Sequence, residues 1–294
     1  MKTLEQAHQE FNYEQLIQEQ LVGQPNAMNA YIECCQRYVG QQKTALIWEG
    51  KNGESEQWSF EQLDVASAQL ANYFKSIGIQ VGDCIAGLLP RTPELLITIL
   101  ATWRIGAIYQ PLFTAFESKA IEHRVLTANT KLIVTNAEQR PKLNHVEVKH
   151  ILTVNAGTNL ASNEADFWQE AKQQSDQCEA VLRSFDDDFL MMFTSGTTGL
   201  AKSVPVPLKA VLAFKGYMQH AVDLREDDSF WNLADPGWAY GLYYGITGPL
   251  SLGHSIIMDE RAFSVDHAVE VIKKYRVSNL TGSPTAFRMF FGFK

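Results

Sequence analysis

The chain has 294 residues, of which 46% are hydrophobic and 20% charged, and its formal net charge is −8 at pH 7. This composition is typical of a globular protein with a large core, and the net negative charge argues against nucleic acid as a partner. The longest apolar stretch, residues 95–108, is broken by Thr98, Thr102, Arg104 and Gly106 and is too short to span a membrane.

The first part of the chain differs in character from the rest. Residues 1–22 are rich in Gln and Glu and lack the apolar centre of a secretory signal, so we expect a cytoplasmic protein. Residues 1–42 are weakly periodic and have no strand pattern, which predicts a helical N-terminal extension packed on the main body. The four cysteines have no metal-binding spacing, and we expect them to be reduced thiols.

Strand and helix patterns alternate from about residue 60. Apolar side chains recur on one helical face over residues 61–77, and further helices are predicted over 164–174, 208–222 and 265–275, the last with Ser264 as N-cap. Strands are predicted over residues 84–89, around residue 108, and over 131–135, 151–154, 189–193, 229–233, 255–258 and 277–280. This alternation predicts an α/β protein with mostly parallel sheets covered by helices on both faces, and with ligands at the carboxyl ends of the strands.

A polar interval at residues 155–187 interrupts the alternation. It begins with a loop at residues 155–159 and contains the polar helix predicted above. We therefore expect a first α/β subdomain over residues 43–175 and a second over residues 176–294.

A loop rich in hydroxyl groups and glycines follows the apolar strand 189–193. Residues 194–202 read Thr-Ser-Gly-Thr-Thr-Gly-Leu-Ala-Lys. Gly196 and Gly199 allow the backbone to adopt positive φ and to approach a ligand closely, while the hydroxyls, the backbone N–H groups and Lys202 can donate to an anion. A solvated hairpin tip also contains small polar residues, but it does not need this combination. The segment predicts a phosphate-binding loop.

A second interpretation of this loop is the P-loop of mononucleotide-binding ATPases. Residues 196–203 fit its pattern if Ala201 replaces the second glycine, and the strand before Asp259 resembles a metal-binding strand. A P-loop binds its phosphates at the N-terminus of a helix that begins at the lysine. Pro205 and Pro207 oppose such a helix, so we expect extended backbone after the loop and keep the P-loop ATPase as the alternative.

The string at residues 194–202 resembles the signature loop of the adenylate-forming superfamily, with Ala201 where the usual pattern has proline. Other segments are similar to the family in order and spacing: residues 58–63, 81–83, 106–112 and 131–135 upstream, and Ala234-Asp235-Pro236-Gly237-Trp238 and Gly282-Ser283-Pro284-Thr285 downstream. The resemblance runs from about Lys43 to the last residue but covers only the family's front half. The first of the two downstream segments ends in tryptophan, and this variant of the segment is most similar to that of short- and medium-chain acyl-CoA synthetases.

The resemblance implies a fold, an activity and a set of site residues. The fold is the large N-terminal domain, with two packed, mostly parallel sheets. The activity is AMP-forming acyl-CoA synthesis from a small carboxylic acid, ATP and CoA through an acyl-adenylate. The β- and γ-phosphates of ATP would be bound by Thr194, Ser195, Gly196, Thr197, Thr198, Gly199 and Lys202, with Lys202 stabilising the departing pyrophosphate. The acyl pocket would contain Asp235, Gly237, Trp238, Tyr240, Gly241, Gly282, Ser283, Pro284 and Thr285.

Cofactors and missing parts follow from the same resemblance. The family uses ATP with Mg²⁺, but its metal carboxylate comes later in its sequence, so no metal ligand is assigned here. Its hinge and its small C-terminal domain with a catalytic lysine also come later. We therefore expect a truncated chain that adenylates poorly or not at all by itself, because that lysine orients the reacting groups. A non-catalytic nucleotide- or acyl-binding module is the third interpretation.

Aromatic residues are concentrated between Trp231 and Tyr244. Trp231, Trp238, Tyr240, Tyr243 and Tyr244 surround two glycines in this stretch. A tryptophan at a strand end can simply close a core, but a dense aromatic wall suits an apolar acyl tail. We expect one continuous wall that lines the acyl pocket.

Overall fold

The structure of the protein is a computed structural model that describes residues 3, 5, 6, 9, 12–158, 160–194 and 199–292. The α-helices of this part are α1 (Tyr13–Gln20), α2 (Ala30–Cys34), α3 (Phe60–Ser76), α4 (Pro93–Arg104), α5 (Ser118–Thr127), α6 (Phe167–Ala171), α7 (Ala210–His220), α8 (Ala239–Leu242), α9 (Gly248–Ser251), α10 (Val265–Tyr275) and α11 (Pro284–Phe290). A π-helix, Tyr243–Thr247, joins α8 to α9, and 3₁₀ turns lie at Gln36–Tyr38 and Arg140–Leu143.

The strands are β1 (Thr44–Glu49), β2 (Ser55–Ser59), β3 (Cys84–Leu88), β4 (Ile108–Pro111), β5 (Leu132–Asn136), β6 (His150–Val154), β7 (Glu164–Asp166), β8 (Asp188–Thr194), β9 (Lys202–Pro207), β10 (Phe230–Asn232), β11 (Ile256–Asp259) and β12 (Asn279–Thr281). Most of the strands predicted from the sequence are confirmed to within two residues. Strands β1 and β2 were not predicted; the sequence of β2, Ser-Glu-Gln-Trp-Ser, is largely exposed and polar and therefore lacks the apolar alternation that identifies a strand.

A seven-stranded sheet organises the molecule. Its strand order is β7-β6-β5-β3-β4-β8-β9, and its pairs are parallel except for β8 with β9. Every residue of β3 is buried, as expected for a parallel strand covered on both faces. The predicted α/β class is confirmed, and the carboxyl ends of β3, β4, β5 and β8 lie at one edge of the sheet.

Two smaller sheets complete the described part. One has the order β11-β1-β2, and the other pairs β10 with β12. Strand β10 also lies next to β11, so the two small sheets adjoin. The sequence pattern identifies strands, but their neighbours are decided by tertiary packing.

Helix α4 contains most of the longest apolar stretch of the sequence, residues 95–108. It begins with Pro93 at its first position, where proline has no N–H to lose, and its side chains are buried along almost the whole length. Arg104 at its end is also buried and pairs with Asp64 at 2.9 Å, as a buried charge requires. None of the described helices combines the length and apolar character needed to cross a bilayer.

The N-terminal segment is tied to the body by polar contacts. The Glu33 carboxylate accepts hydrogen bonds from the backbone N–H groups of Val22 and Gly23, both at 2.8 Å. Lys215 of α7 donates to the carbonyl of Gln20. These contacts satisfy backbone groups just after α1 and hold the segment against α7.

Strand pairing crosses the predicted subdomain boundary at residues 175/176. Strands β7 and β8 lie on opposite sides of this boundary but belong to one sheet. Strand β1 pairs with β11 from the far side of the sequence. The division into 1–42, 43–175 and 176–294 stays a prediction.

Two helix predictions had different outcomes. Helix α10 covers the predicted residues, and the Ser264 hydroxyl accepts from the N–H of His267 at 3.3 Å. The helix predicted over residues 164–174 is wrong in its first part, because residues 164–166 form β7 and pair with β6. Helix α6 begins only after Asp166, whose carboxylate accepts from the N–H of Gln169.

All four cysteines are buried and free: Cys34, Cys35, Cys84 and Cys178. This agrees with the prediction that they are reduced thiols. Burial raises the pKa of the Cys84 thiol to about 12, so it is protonated and unreactive near neutral pH.

Candidate functional site

The predicted phosphate loop lies at the tip of a β-hairpin. Strands β8 and β9 are antiparallel, and Thr194 faces Lys202 where the loop leaves and rejoins the sheet. Gly199 has φ of +93°, and no atom of the described residues lies within 4 Å of a Cβ built on it, as expected for a glycine that provides backbone freedom. Ser195, Gly196, Thr197 and Thr198 lie outside the described residues.

The chain after the loop is extended, as the two prolines predicted. Residues 202–207 form β9, the edge strand of the large sheet, where proline is tolerated because no ladder is lost on the outer side. The P-loop interpretation requires a helix that begins at Lys202. That interpretation is wrong.

Helix α5 lies beside the hairpin and contributes two nitrogen-bearing side chains. The Nε2 atom of His123 is 2.8 Å from the carbonyl oxygen of Ala201 in the loop, so a proton on Nε2 makes it a donor. The guanidinium of Arg124 lies 4.1 Å from the ring centre of Phe116 and 5.6 Å from that of Phe193 on β8. Neither residue was predicted to lie at the site, because nothing in the sequence indicates that α5 packs next to β8.

The segment Asp235-Pro236-Gly237-Trp238 forms a tight turn after β10, which we call the Asp235 turn. The Asp235 carboxylate accepts from the N–H of Gly237 at 2.7 Å. A Cβ atom at Gly237 would be 2.7 Å from Cα of Phe113, and one at Gly241 would be 2.2 Å from the carbonyl oxygen of Asp235. Both glycines are therefore required by close backbone approach. Because Phe113 follows β4, the turn docks on the carboxyl edge of the large sheet.

Asp235 is a carboxylate in a poorly solvated place. Burial raises its pKa, while the charge of Arg91 and the N–H of Gly237 act in the opposite direction. Arg91 is itself anchored: its Nη2 donates to the carbonyl of Arg261 at 3.2 Å, and its own carbonyl accepts from Trp48 Nε1 at 3.0 Å. Arg91 was missed in the sequence, although its position just after a buried strand is a usual place for a site residue.

The aromatic residues between 231 and 244 do not form one wall, so that prediction is wrong. Trp231 is 3% exposed and packs in a separate core cluster with Ile257, Ala268 and Val271. Trp238 is 46% exposed and packs against Phe113 and Phe116, each at 5.6 Å between ring centres. Tyr240, Tyr243 and Tyr244 pack with Phe214 and Tyr217 of α7. Successive side chains of β10 point to opposite faces of the sheet, and the chain turns after the strand, so these aromatic side chains point in different directions.

The segment at residues 282–285 follows β12, the parallel neighbour of β10. The N–H of Leu233 donates to the carbonyl of Thr281 at 2.9 Å, and a Cβ at Gly282 would be 3.2 Å from the Leu233 side chain. Gly282 is therefore brought alongside the start of the Asp235 turn. The Ser283 hydroxyl caps α11 by accepting from Ala286 N–H at 3.2 Å, and Ser283, Pro284 and Thr285 are exposed.

The hairpin and the Asp235 turn are connected by a row of stacked side chains. Phe193 on β8 contacts Arg124, Arg124 covers Phe116, and Phe116 packs edge-on against Trp238. Two glycine-rich segments thus lie side by side at one sheet edge, one rich in donors and the other bordered by aromatic rings. This edge is where open α/β sheets bind ligands, and the chain is an α/β protein with a two-part candidate site there.

Comparison with known proteins identifies the family. The model of the family described as AMP-binding enzyme matches residues 35–294, and this chain belongs to that family. Acetyl-coenzyme A synthetase of Deinococcus radiodurans is 33% identical over 91% of this chain and 45% of its own length. The enzyme of the same name from Bacillus subtilis is 29% identical over 99% of this chain and 52% of its own length.

A solved structure gives the same result. The acyl-CoA synthetase of Brucella canis is 46% identical, with a TM-score of 0.96, and the match covers 100% of this chain and 54% of that chain. The chain spans about half the length of the relatives it matches.

Proposed function

We propose that this protein acts in AMP-forming acyl-CoA synthesis, in which a small carboxylic acid, ATP and CoA give acyl-CoA, AMP and diphosphate. The observation that supports this most directly is the strand–loop–strand hairpin joined through Arg124 and Phe116 to the Asp235 turn. A donor-rich loop next to an enclosed turn suits a triphosphate beside an organic acid.

The hairpin loop is proposed to bind the β- and γ-phosphates. Thr194, Gly199 and Lys202 border the loop, and Ser195, Gly196, Thr197 and Thr198 complete the set. In the first step an oxygen of the acid attacks the α-phosphorus of ATP, the bond from that phosphorus to the bridging oxygen breaks, and pyrophosphate leaves. Lys202 and the loop donors offset the charge that grows on the leaving group, which is electrostatic stabilisation by preorganised donors.

The second step transfers the acyl group. The CoA thiol attacks the carbonyl carbon of the acyl-adenylate, loses its proton, and displaces AMP to give the thioester. The acid is proposed to lie against the Asp235 turn and the start of α8, in a pocket formed by Asp235, Gly237, Trp238, Tyr240, Gly241, Gly282, Ser283, Pro284 and Thr285. Asp235 and the two glycines shape the turn, so we propose that they position the acid rather than react with it.

Magnesium is proposed to accompany ATP through its phosphate oxygens. The described residues do not bring three or more His, Cys, Asp or Glu side chains together as a metal site, and no step is assigned to the ion. We propose a cytoplasmic location, because the four cysteines are free and buried, as is usual in a reducing compartment.

The test separates the hairpin's role from general charge effects. Binding of ATP and of AMP to the chain is measured by isothermal titration for wild type, Lys202→Ala and Lys209→Ala. A charged hydrogen bond contributes about 1.5–3 kcal/mol, so Lys202→Ala should weaken ATP binding about tenfold or more. AMP binding should change little, because AMP lacks the β- and γ-phosphates.

Lys209 is the matched control. It is an exposed lysine near the base of the same hairpin, paired with Asp186 at 2.7 Å, and its replacement should leave both affinities unchanged. Equal loss of ATP and AMP affinity in Lys202→Ala, or no loss of either, would contradict the proposed role. Acid-dependent pyrophosphate release then separates an enzyme from a module that only binds.

A further inference from the structure

Among the residues that the structure describes, two buried polar atoms beside the proposed acid pocket have no hydrogen-bond partner. They are Nδ2 of Asn232 on β10 and Oγ1 of Thr281 on β12. The two residues are paired in register on adjacent parallel strands, so their side chains point to the same face of the sheet. A buried polar group without a partner costs about 1–3 kcal/mol, and two of them at one register position suggest a single missing partner.

The orientation of the Asn232 amide is fixed by a neighbour. Its Oδ1 accepts from the N–H of Ala234 at 2.8 Å, and a backbone N–H needs an oxygen there. The free atom is therefore the NH₂ group, a donor, on a side chain that is 7% exposed. Thr281 adds a hydroxyl that can donate or accept.

The face on which both side chains lie is covered by polar aromatic residues. We call Tyr217, Tyr240 and Tyr244 the tyrosine cluster; the ring centres of Tyr217 and Tyr244 are 4.0 Å apart, and those of Tyr240 and Tyr244 are 5.2 Å apart. The hydroxyl of Tyr240 lies near those of Tyr217 and Thr281, and burial raises its pKa. All three tyrosines are only partly buried, so the cluster is accessible from solvent.

The backbone opposite Asn232 is also unusual. Gly245 belongs to the π-helix Tyr243–Thr247, and a Cβ atom there would lie 3.3 Å from Cβ and 3.5 Å from Nδ2 of Asn232. A larger residue at 245 would press on the Asn232 side chain. Single-turn π-helices often occur at functional sites. This one begins three residues after Tyr240, a member of the tyrosine cluster that lies two residues after the end of the Asp235 turn.

We propose that Asn232 and Thr281 form a polar end of the acid pocket and select carboxylic acids that carry a hydroxyl or keto oxygen on the acyl chain. This inference rests on the proposed function. The Asn232 amide would donate to the substrate oxygen, and the Thr281 hydroxyl would share it. A plain alkyl chain would leave both groups unpaired, and a site built to bond an oxygen strongly disfavours the analogue without it.

The test compares acids of equal chain length. Butyrate, 2-, 3- and 4-hydroxybutyrate and 3-oxobutyrate are titrated calorimetrically into the chain, and thermal unfolding is recorded in parallel. At least one oxygenated acid should bind tenfold or more tightly than butyrate. In Thr281→Val this ratio should fall to about two or less, and thermal unfolding without acid should show that the variant is folded.

Two further variants keep the test independent of folding effects. Asn232→Leu should also abolish the preference, although it loses the contact to Ala234. Thr102→Val is the matched control, because Thr102 is a buried threonine whose hydroxyl donates to the Thr98 carbonyl at 2.7 Å. It should lower stability and keep the preference.

The outcomes distinguish the two proposals. Butyrate binding as tightly as the oxygenated acids, or a preference that survives in both Thr281→Val and Asn232→Leu, overturns this inference alone and means that water satisfies the two groups. Failure of every acid to bind overturns the proposed function together with it.

Discussion

The hairpin and the Asp235 turn use glycine for opposite physical reasons. At Gly199 in the hairpin the backbone has positive φ, and none of the described residues has an atom within 4 Å of the missing Cβ, so the glycine provides conformational freedom. At Gly241 behind the Asp235 turn there is no positive φ, but a Cβ would lie 2.2 Å from a carbonyl oxygen. That glycine provides space.

The difference shows how the two halves of the site divide their tasks. A loop that closes around phosphates needs exposed donors and a backbone that can adopt rare dihedral angles. A turn that shapes a pocket needs a fixed backbone, here held by the Asp235 carboxylate, by Arg91 and by the edge near Phe113. Substitutions in the hairpin should therefore change mainly ligand affinity, and substitutions in the turn should change mainly the free energy of unfolding.

The largest expected effect is at Gly241. Gly241→Ala places a methyl group against the Asp235 backbone, and overpacking of this kind costs about 3 kcal/mol or more when the obstacle is a main-chain atom. Urea unfolding should show the loss as a lower midpoint. The control is Gly216→Ala in α7, where no other described residue comes within 4 Å of a built Cβ. Alanine there should raise the free energy of unfolding by up to about 1 kcal/mol. Equal behaviour of the two variants would mean that Gly241 is not confined.

A middle-sized effect is expected from Arg91→Gln. Burial raises the pKa of Asp235 and Arg91 lowers it. When a carboxyl group has a higher pKa in the folded than in the unfolded state, the free energy of unfolding of the protein falls as the pH rises through the folded-state pKa. Without Arg91 the pKa rises further, so the free energy of unfolding of the variant should be lower than that of wild type by about 1–2 kcal/mol near neutral pH.

The measurement is the direction in which this difference in the free energy of unfolding changes with pH. The stability difference between wild type and Arg91→Gln should shrink as the pH falls towards the ordinary aspartate value of 3.8, because protonated Asp235 no longer needs a counter-charge. In an Asp235→Asn background the difference should be independent of pH, since only the bond from Arg91 to the Arg261 carbonyl remains to be lost. A difference that grows towards acid would contradict the assignment.

The smallest effect on stability is expected at Gly199, where ligand affinity should change instead. Alanine at positive φ costs about 1 kcal/mol, and avoiding that strain should distort the hairpin loop and weaken ATP binding about three- to tenfold. Gly157→Ala is the control, because Gly157 also has positive φ, at +72°, and no atom within 4 Å of a built Cβ in the part of the chain that the structure describes. It should show the same small loss of stability and an unchanged ATP affinity.

Prediction from sequence succeeded where local chemistry decides the structure. Pro205 and Pro207 exclude a helix after the loop, and β9 follows from them. Ser264 caps the N-terminus of α10, and the apolar face of residues 265–275 accounts for the helix that follows. It failed where partners come from distant parts of the chain. Arg91 reaches the site because the segment after β3 lies near Asp235, and His123 and Arg124 reach it because α5 packs next to the hairpin. The pairing of Asn232 with Thr281 depends on strands 49 positions apart.

The sequence by itself determined the α/β class, the glycine-rich loop with its terminal lysine, and the extended chain that follows, because each depends on the backbone preferences of residues that are neighbours in sequence. Only the tertiary structure decided that Trp231, Trp238 and Tyr240 face three different environments, and that two unpartnered polar groups meet beside the tyrosine cluster. Side-chain direction depends on strand register and on the packing of remote elements, and neither is encoded in a local pattern.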